Sequence, residues 1–479
     1  MSQGDSTDAS FTNRLATYFG VDEYDSSVRT ELIAGLTTFL TMSYIVVVNP
    51  AILAGTDVNF AADGIQPAID PAGVSQGQTF QMVAIVTILS AAVATLIMAF
   101  YANRPFAQAP GLSLNAFFAF TVVGAMGISW QTALAAVFVE GILFIALTAV
   151  GAREYVINIF PEPVKFAVGT AIGLFLALIG FEAMGVVTGE GGTILALSQV
   201  AQSPVAILSL VGLFVTLGLY ARGVTGSIII GIVATSLVGY GLTAADVVEQ
   251  GVLAPESLPS ATYDITPIAG AFIEGFQGLE AFSFALVVFT FFFVDFFDTA
   301  GTLTGVSQAA GFLDEDGNLP NIDRPLMSDA IGTTFGSILG TSTVTTYIES
   351  ATGVEEGGRT GLTALVVAAL FLVSLIFVPL AAGVPQYASH IALVVVGIVM
   401  LTNVGDVDWS DLTHAIPAGL TILVMPYTFN IGYGIAAGII SYPIVKVAAG
   451  EYRDVHVGQY LLAALFVVYF YVQTSGILA

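Results

Sequence analysis

FALVVFTFFFVDFFDTAGTLTG, residues 284–305, sets two aspartates, Asp295 and Asp298, behind the run 284–294, which is apolar but for Thr290. An apolar run of this kind is read as part of a membrane helix, and a carboxylate inside hydrocarbon is costly enough to need a reason. Working outward, the same character recurs in blocks of about 17 to 25 residues, each long enough to cross about 30 Å of hydrocarbon. Of the 479 residues, 56% are hydrophobic and 9% charged. A soluble domain carries about 25% charged residues, so this chain could not cover a water-facing surface of normal polarity. The fold class is therefore an all-α polytopic membrane protein.

Composition removes whole classes of function. There is no cysteine, and the three histidines, His390, His414 and His456, cannot build a histidine-rich centre, so no metal site or cofactor is expected. A net charge of −25 excludes a nucleic-acid binder and a polybasic grip on anionic lipid. With lysine only at Lys165 and Lys446, the acid excess points to a host with high internal salt, where screening mutes repulsion among carboxylates. Residues 1–29 are polar and acidic without an apolar core or cleavage site, and are expected to be a cytoplasmic tail.

Hydropathy places fourteen spans near 30–54, 80–102, 109–125, 130–150, 163–188, 203–221, 223–242, 280–303, 327–341, 342–356, 360–383, 386–403, 411–427 and 429–448. A further apolar block lies at 458–476. With the N-terminus in the cytoplasm, every basic residue falls on one side: Arg14 and Arg29, Arg104, Arg153 with Lys165, Arg222, Arg324, Arg359, and Lys446 with Arg453. The outside loops at 55–79, 189–202 and 243–279 have none, as the positive-inside rule requires.

The two sets of seven spans resemble each other. GLTTFLTMSYIVVVNPAILAG (35–55) is similar to VVFTFFFVDFFDTAGTLTG (287–305), APGLSLNAFFAF (109–120) matches STVTTYIESATG (342–353) in position, and 163–181 matches 385–401. Because seven is odd, the copies must be inverted, and inverted repeats with interrupted segments point to a secondary transporter.

Five acids stand out within the spans: Glu140, Glu182, Asp295, Asp298 and Glu349. Asp295 and Asp298 share a helix face with Thr299 and Thr302. Close together and away from water, the two carboxylates do not both ionise readily, so one is expected to hold a proton. Glu349 follows GTSTVTTYI (340–348), whose hydroxyl and β-branched residues disfavour helix. Thr346 to Glu349 then reads as a capping box that starts a half-helix. Its counterpart at 109–120 breaks at Ala-Pro-Gly, with Ser113 as a cap and Asn115 in the first turn. Irregular backbone at membrane depth must line a cavity or be buried, and half-helix N-termini offer free N–H groups. Glu140 and Glu182 read as structural. Carboxylates and an amide that accept, backbone N–H groups that donate, and Tyr44, Phe117, Phe118 and Tyr347 nearby suit a flat, neutral heterocycle with donors and acceptors. A carboxylate against ring N–H groups follows the logic of base recognition.

At GLTTFLTMSYIVVVNPAILA, APGLSLNAFFAFTVV, FFFVDFFDTAGTLTGV and GTSTVTTYIESATGVEEGGRTGLTA, the chain resembles the AzgA-like purine permeases, a branch of the nucleobase–cation symporter (xanthine/uracil permease) family. The resemblance implies two inverted seven-helix repeats divided into a core domain (30–150 and 280–383) and a gate domain (163–242 and 386–448); the hydropathy reading adds an acidic outside loop at 243–279 and an additional helix at 458–476. It implies proton-coupled uptake of adenine, guanine or hypoxanthine across the cell membrane, with sodium as the alternative ion, by an elevator-like movement; a homodimer is one assembly it allows. Carried over by motif, the substrate-binding residues are Glu349, Asp295, Asn115, Phe117, Tyr347 and Thr346, and the ion-coupling residues Asp295 and Asp298. The nearest rivals are a same-fold carrier of uracil, xanthine or an inorganic or carboxylate anion, and, in another class, an intramembrane aspartyl protease. That enzyme needs two aspartates on separate helices, whereas Asp295 and Asp298 share one.

Overall fold

The computed structural model describes residues 13–24, 26–55, 67–151, 159–189, 195–255, 260–277, 281–314 and 319–475. Residues 1–12 of the expected tail, Arg153, and parts of the expected outside loops lie outside the described residues.

The first half opens with α1 (Val28–Met42), started by Ser27, whose Oγ accepts from the Thr30 amide at 3.1 Å. A break at Ser43-Tyr44 separates it from α2 (Ile45–Leu53). After α3 (Gln76–Ile97), which a Ser75–Gln78 capping box starts, the chain becomes extended in β1 (Gln108–Pro110) and turns into α4 (Leu112–Ala116), continued by wider π turns to Ala125. Next come α5 (Trp130–Ala149), α6 (Glu162–Ala183), a short hairpin of β2 (Val187–Thr188) and β3 (Ala196–Leu197), α7 (Pro204–Ala221) and α8 (Ser227–Ala244). The second half runs through α9 (Ala281–Ala309), α10 (Asp323–Leu339), β4 (Val344–Thr346), α11 (Ser350–Glu355), α12 (Gly361–Ser374), α13 (Ile391–Met400), α14 (Leu412–Tyr427), α15 (Ile431–Ala448) and α16 (Val457–Thr474).

Among the described residues ten helices are long and apolar enough to cross a membrane. Of the remaining four expected spans, 109–125 is built from β1 with α4, 327–341 is the single 17-residue helix α10, 342–356 is built from β4 with α11, and 411–427 is the single 16-residue helix α14. The physical reason is visible in the first and third of these. An extended residue advances about 3.3 Å against 1.5 Å in a helix, so a strand leading into a short helix covers depth that hydropathy assigns to a single long one. The 458–476 block forms α16.

Two groups of helices pack mainly among themselves. In one, α12 lies on α1 and α3, α10 on α5 and α3, and α11 on α1; in the other, α6 packs on α13 and α14, α14 on α15, and α7 on α8. Between the halves, β1 and β4 pair antiparallel, with Gln108 opposite Thr346 and Pro110 opposite Val344. The chain leaves β1 at the end where it enters β4, so α4 and α11 depart from opposite ends of the pair. This pairing satisfies backbone groups that hydrocarbon could not, and all six strand residues are buried. Gly340 makes the second strand reachable: it ends α10 at φ +103°, a conformation side-chain-bearing residues rarely adopt.

Candidate functional site

The strand crossing gathers the acids. Asp295 on α9 is buried, and its Oδ1 lies 3.0 Å from the hydroxyl of Thr299, one turn along. Asp298, on the same helix, is half-buried, has Ser113 as a hydrogen-bond partner, and lies within electrostatic reach of Asp329 and Glu349. Glu349, half-buried just before α11, accepts from the Tyr44 hydroxyl at 2.5 Å. Asp298 and Glu349 thus face one region from α9 and from the end of the β4 segment, and Tyr347 feels both of them.

The remaining expected site residues are engaged inside the protein. Asn115 is fully buried: its Nδ2 donates to Pro110 O at 3.4 Å, and its Oδ1 accepts from Ser342. Tyr347 donates its hydroxyl to Pro110 O at 2.5 Å. Phe117 is buried edge-to-face against Phe291, centroids 4.8 Å apart, so it offers no open aromatic face here. Thr346 closes β4, with its hydroxyl donating to Asp329 Oδ1 at 3.0 Å.

That last contact corrects the expected capping box. Thr346 belongs to the strand and serves Asp329, while α11 starts at Ser350 after Glu349, which makes no side-chain cap. Ser113 does not cap α4 either; Gly111 holds that position and Ser113 turns to Asp298. Packing across the strand pair outweighs the local pattern. Glu140 is buried and accepts from Thr343 at 3.1 Å, tying α5 to the extended segment, and Glu182 lies half-buried near the end of α6.

Sequence reasoning missed Asp329. Its carboxylate is buried and accepts from Gln108 Nε2 at 2.5 Å, Thr346 at 3.0 Å and Thr299 at 2.7 Å, joining β1, β4, α9 and α10. The available signal was its position inside the expected 327–341 span, opposite a segment crowded with hydroxyls. A separate apolar cleft of about 750 Å³ between α1, α8 and α12, lined by Phe39, Leu237 and Phe377, offers almost no polar surface and none of these acids.

Helices broken at a buried, acid-rich crossing define a membrane carrier of small solutes. Residues 29–437 match the xanthine/uracil permease family, a permease family, and the chain belongs to it. A putative permease of Methanocaldococcus jannaschii is 42% identical over 461 residues, covering 96% of this chain and 98% of that one. The adenine permease AdeQ of Escherichia coli is 39% identical over 94% of this chain and 95% of its own, and the guanine/hypoxanthine permease PbuO of Bacillus subtilis 40% identical over 95% and 99%. Among solved structures, the transmembrane domain of the cyanobacterial bicarbonate transporter BicA superposes with a TM-score of 0.61 at 14% identity, over 86% of this chain and 97% of that one. That likeness shows a shared fold alone. The chain is a multi-pass membrane protein of the transporter class, with the fold class expected from its sequence.

Proposed function

We propose that this protein imports purine nucleobases, namely adenine, guanine or hypoxanthine, by symport with a proton. The observation that carries the substrate class is the near-full-length similarity to adenine and guanine/hypoxanthine permeases. The geometry supports it: Glu349 and Asp298 are half-buried carboxylates that accept hydrogen bonds, as ring N–H groups require, and an anion would be repelled by them. In this reading Glu349 accepts from the ring, with Asp298 beside it. Asn115 joins only by exchanging its bond to Ser342 or Pro110, while Tyr347, Thr346 and Phe117 shape the walls. Asp295 holds the coupling proton and Asp298 adjusts it.

Transport proceeds by elevator-like movement of the core (30–150 and 280–383) against the gate (163–242 and 386–448), in the cell membrane with the 1–29 tail in the cytoplasm and the 243–279 loop outside. The mutual packing of the two helix groups supports this division. The test is equilibrium binding of purified protein to adenine, guanine, hypoxanthine, xanthine and uracil across pH. Tightest binding of one of the first three, with proton uptake on binding, is expected. Preference for uracil, or displacement of bound purine by sulfate or bicarbonate, would reject the substrate class.

A further inference from the structure

The Thr299 hydroxyl sits between two acids. Its Oγ1 lies 3.0 Å from Asp295 Oδ1, 2.7 Å from Asp329 Oδ2 and 3.0 Å from Thr345 Oγ1, and all four residues are buried. A hydroxyl carries one proton and donates once. Thr345 brings one more, which it can give to Thr299 or, at 3.4 Å, to Asp329. Under either arrangement one of the two short Thr299–carboxylate contacts is left as lone pair against lone pair. Only a proton on a carboxyl turns that contact into a hydrogen bond.

Asp329 is also held from β1 and β4. Its Oδ1 already accepts from Gln108 and Thr346, leaving Oδ2 for Thr299. We infer that Asp295, Thr299 and Asp329 form one proton-holding unit, in which one of the two carboxyls is an acid that donates to Thr299 and Thr299 donates to the other, ionised carboxylate. Rotating the threonine hydroxyl and moving one proton along each bond carries the acid proton from one aspartate to the other, between α9 and α10, with charge conserved within the unit. The proton enters from water on the outer side and leaves to water on the inner side. The titratable groups around the unit are Asp298 on the same helix, Glu349 and Tyr347 beyond β4, and Glu140 on α5, bonded to Thr343 in the segment entering β4.

The inference rests on the proton-coupled reading above, but one measurement separates the two. Infrared spectra of the wild-type protein in membranes, without substrate and at neutral pH, should show a carboxylic-acid C=O band that shifts in deuterated water. Asp329→Asn and Thr299→Val should move or remove that band, and Thr299→Ser should restore it. No change in either variant overturns the unit, whatever the protein transports. In proteoliposomes under an inward proton gradient, Thr299→Val should lower the ratio of purine accumulation to equilibrium purine binding at least about tenfold and flatten its dependence on external pH, with Thr299→Ser recovering both. Should binding fall as far as accumulation, these residues organise the site without holding the proton, and the inference fails. If wild-type protein accumulates no purine while the infrared band behaves as stated, the substrate reading fails and the proton unit stands. The threonine pair keeps the test decisive even if Asp329→Asn does not fold.

Discussion

Tyr44 and Glu349 are 305 residues apart in the chain, and the tyrosine hydroxyl donates to Glu349 Oε1 at 2.5 Å. The tyrosine stands at the break between α1 and α2, and the glutamate at the entry to α11. One interrupted helix thus holds the acid presented by the other.

Tyr44→Phe removes that donor without changing the ring. A hydrogen bond to a charged group contributes about 1.5–3 kcal/mol, part of which water or a substrate donor replaces. We expect a loss of about 1 kcal/mol, roughly fivefold in purine Kd, at normal membrane abundance. Equilibrium binding measures it, and unchanged affinity would mean that the tyrosine does not orient the acid.

Gly111 lies where α4, β4 and α9 meet. A Cβ there would fall 2.8 Å from Thr345 Cγ2 and 3.5 Å from Asp298 Oδ2. Gly111→Ala should therefore shift the β4 segment and lower uptake at least about tenfold, the equivalent of about 1.4 kcal/mol, while detergent-solubilised protein still elutes as one monodisperse peak.

Gly340→Ala acts on folding. Its φ of +103° strains any side-chain-bearing residue, and the new Cβ would lie 2.8 Å from Ile268 O. A loss of about 1–3 kcal/mol should appear as a lower unfolding temperature and reduced membrane yield.

Glu31 ties together the neighbouring ends of α1 and α12, two helices of the same group. Buried on α1, it accepts from the Arg359 amide at 3.0 Å, the Thr360 amide at 3.3 Å and the Thr363 hydroxyl at 2.5 Å, where α12 begins. Glu31→Ala leaves those donors unpaired, at about 1–3 kcal/mol for a buried group. Thermal unfolding should fall by several degrees, with Glu31→Gln intermediate because its amide oxygen still accepts.

Much of this was readable beforehand, for identifiable reasons. Asp295, Asp298 and Glu349 stood out because acids are rare beside apolar runs such as 284–294. The two interrupted segments announced themselves through Ala-Pro-Gly at 109–111 and the threonine-rich stretch before Glu349. Asp329 gave no comparable signal: it sits in the first turns of α10, whose SDAIGTTFG wording is polar, and an acid near a helix start is ordinary. The partners of the acids were also hidden. Tyr44 with Glu349, Gln108 with Asp329 and Ser342 with Asn115 are contacts across the chain, set by the β1–β4 register and not by any local spacing. Local pattern likewise assigned Thr346 and Ser113 to caps, which cross-strand packing redirected to Asp329 and Asp298.

The most direct test is accumulation of labelled hypoxanthine by cells or vesicles carrying wild-type, Glu349→Gln or Asp295→Asn protein at matched membrane abundance. The account predicts concentrative uptake by the wild type and a loss of at least about tenfold in each variant, a change equivalent to about 1.4 kcal/mol. Wild-type rates in both variants would contradict it.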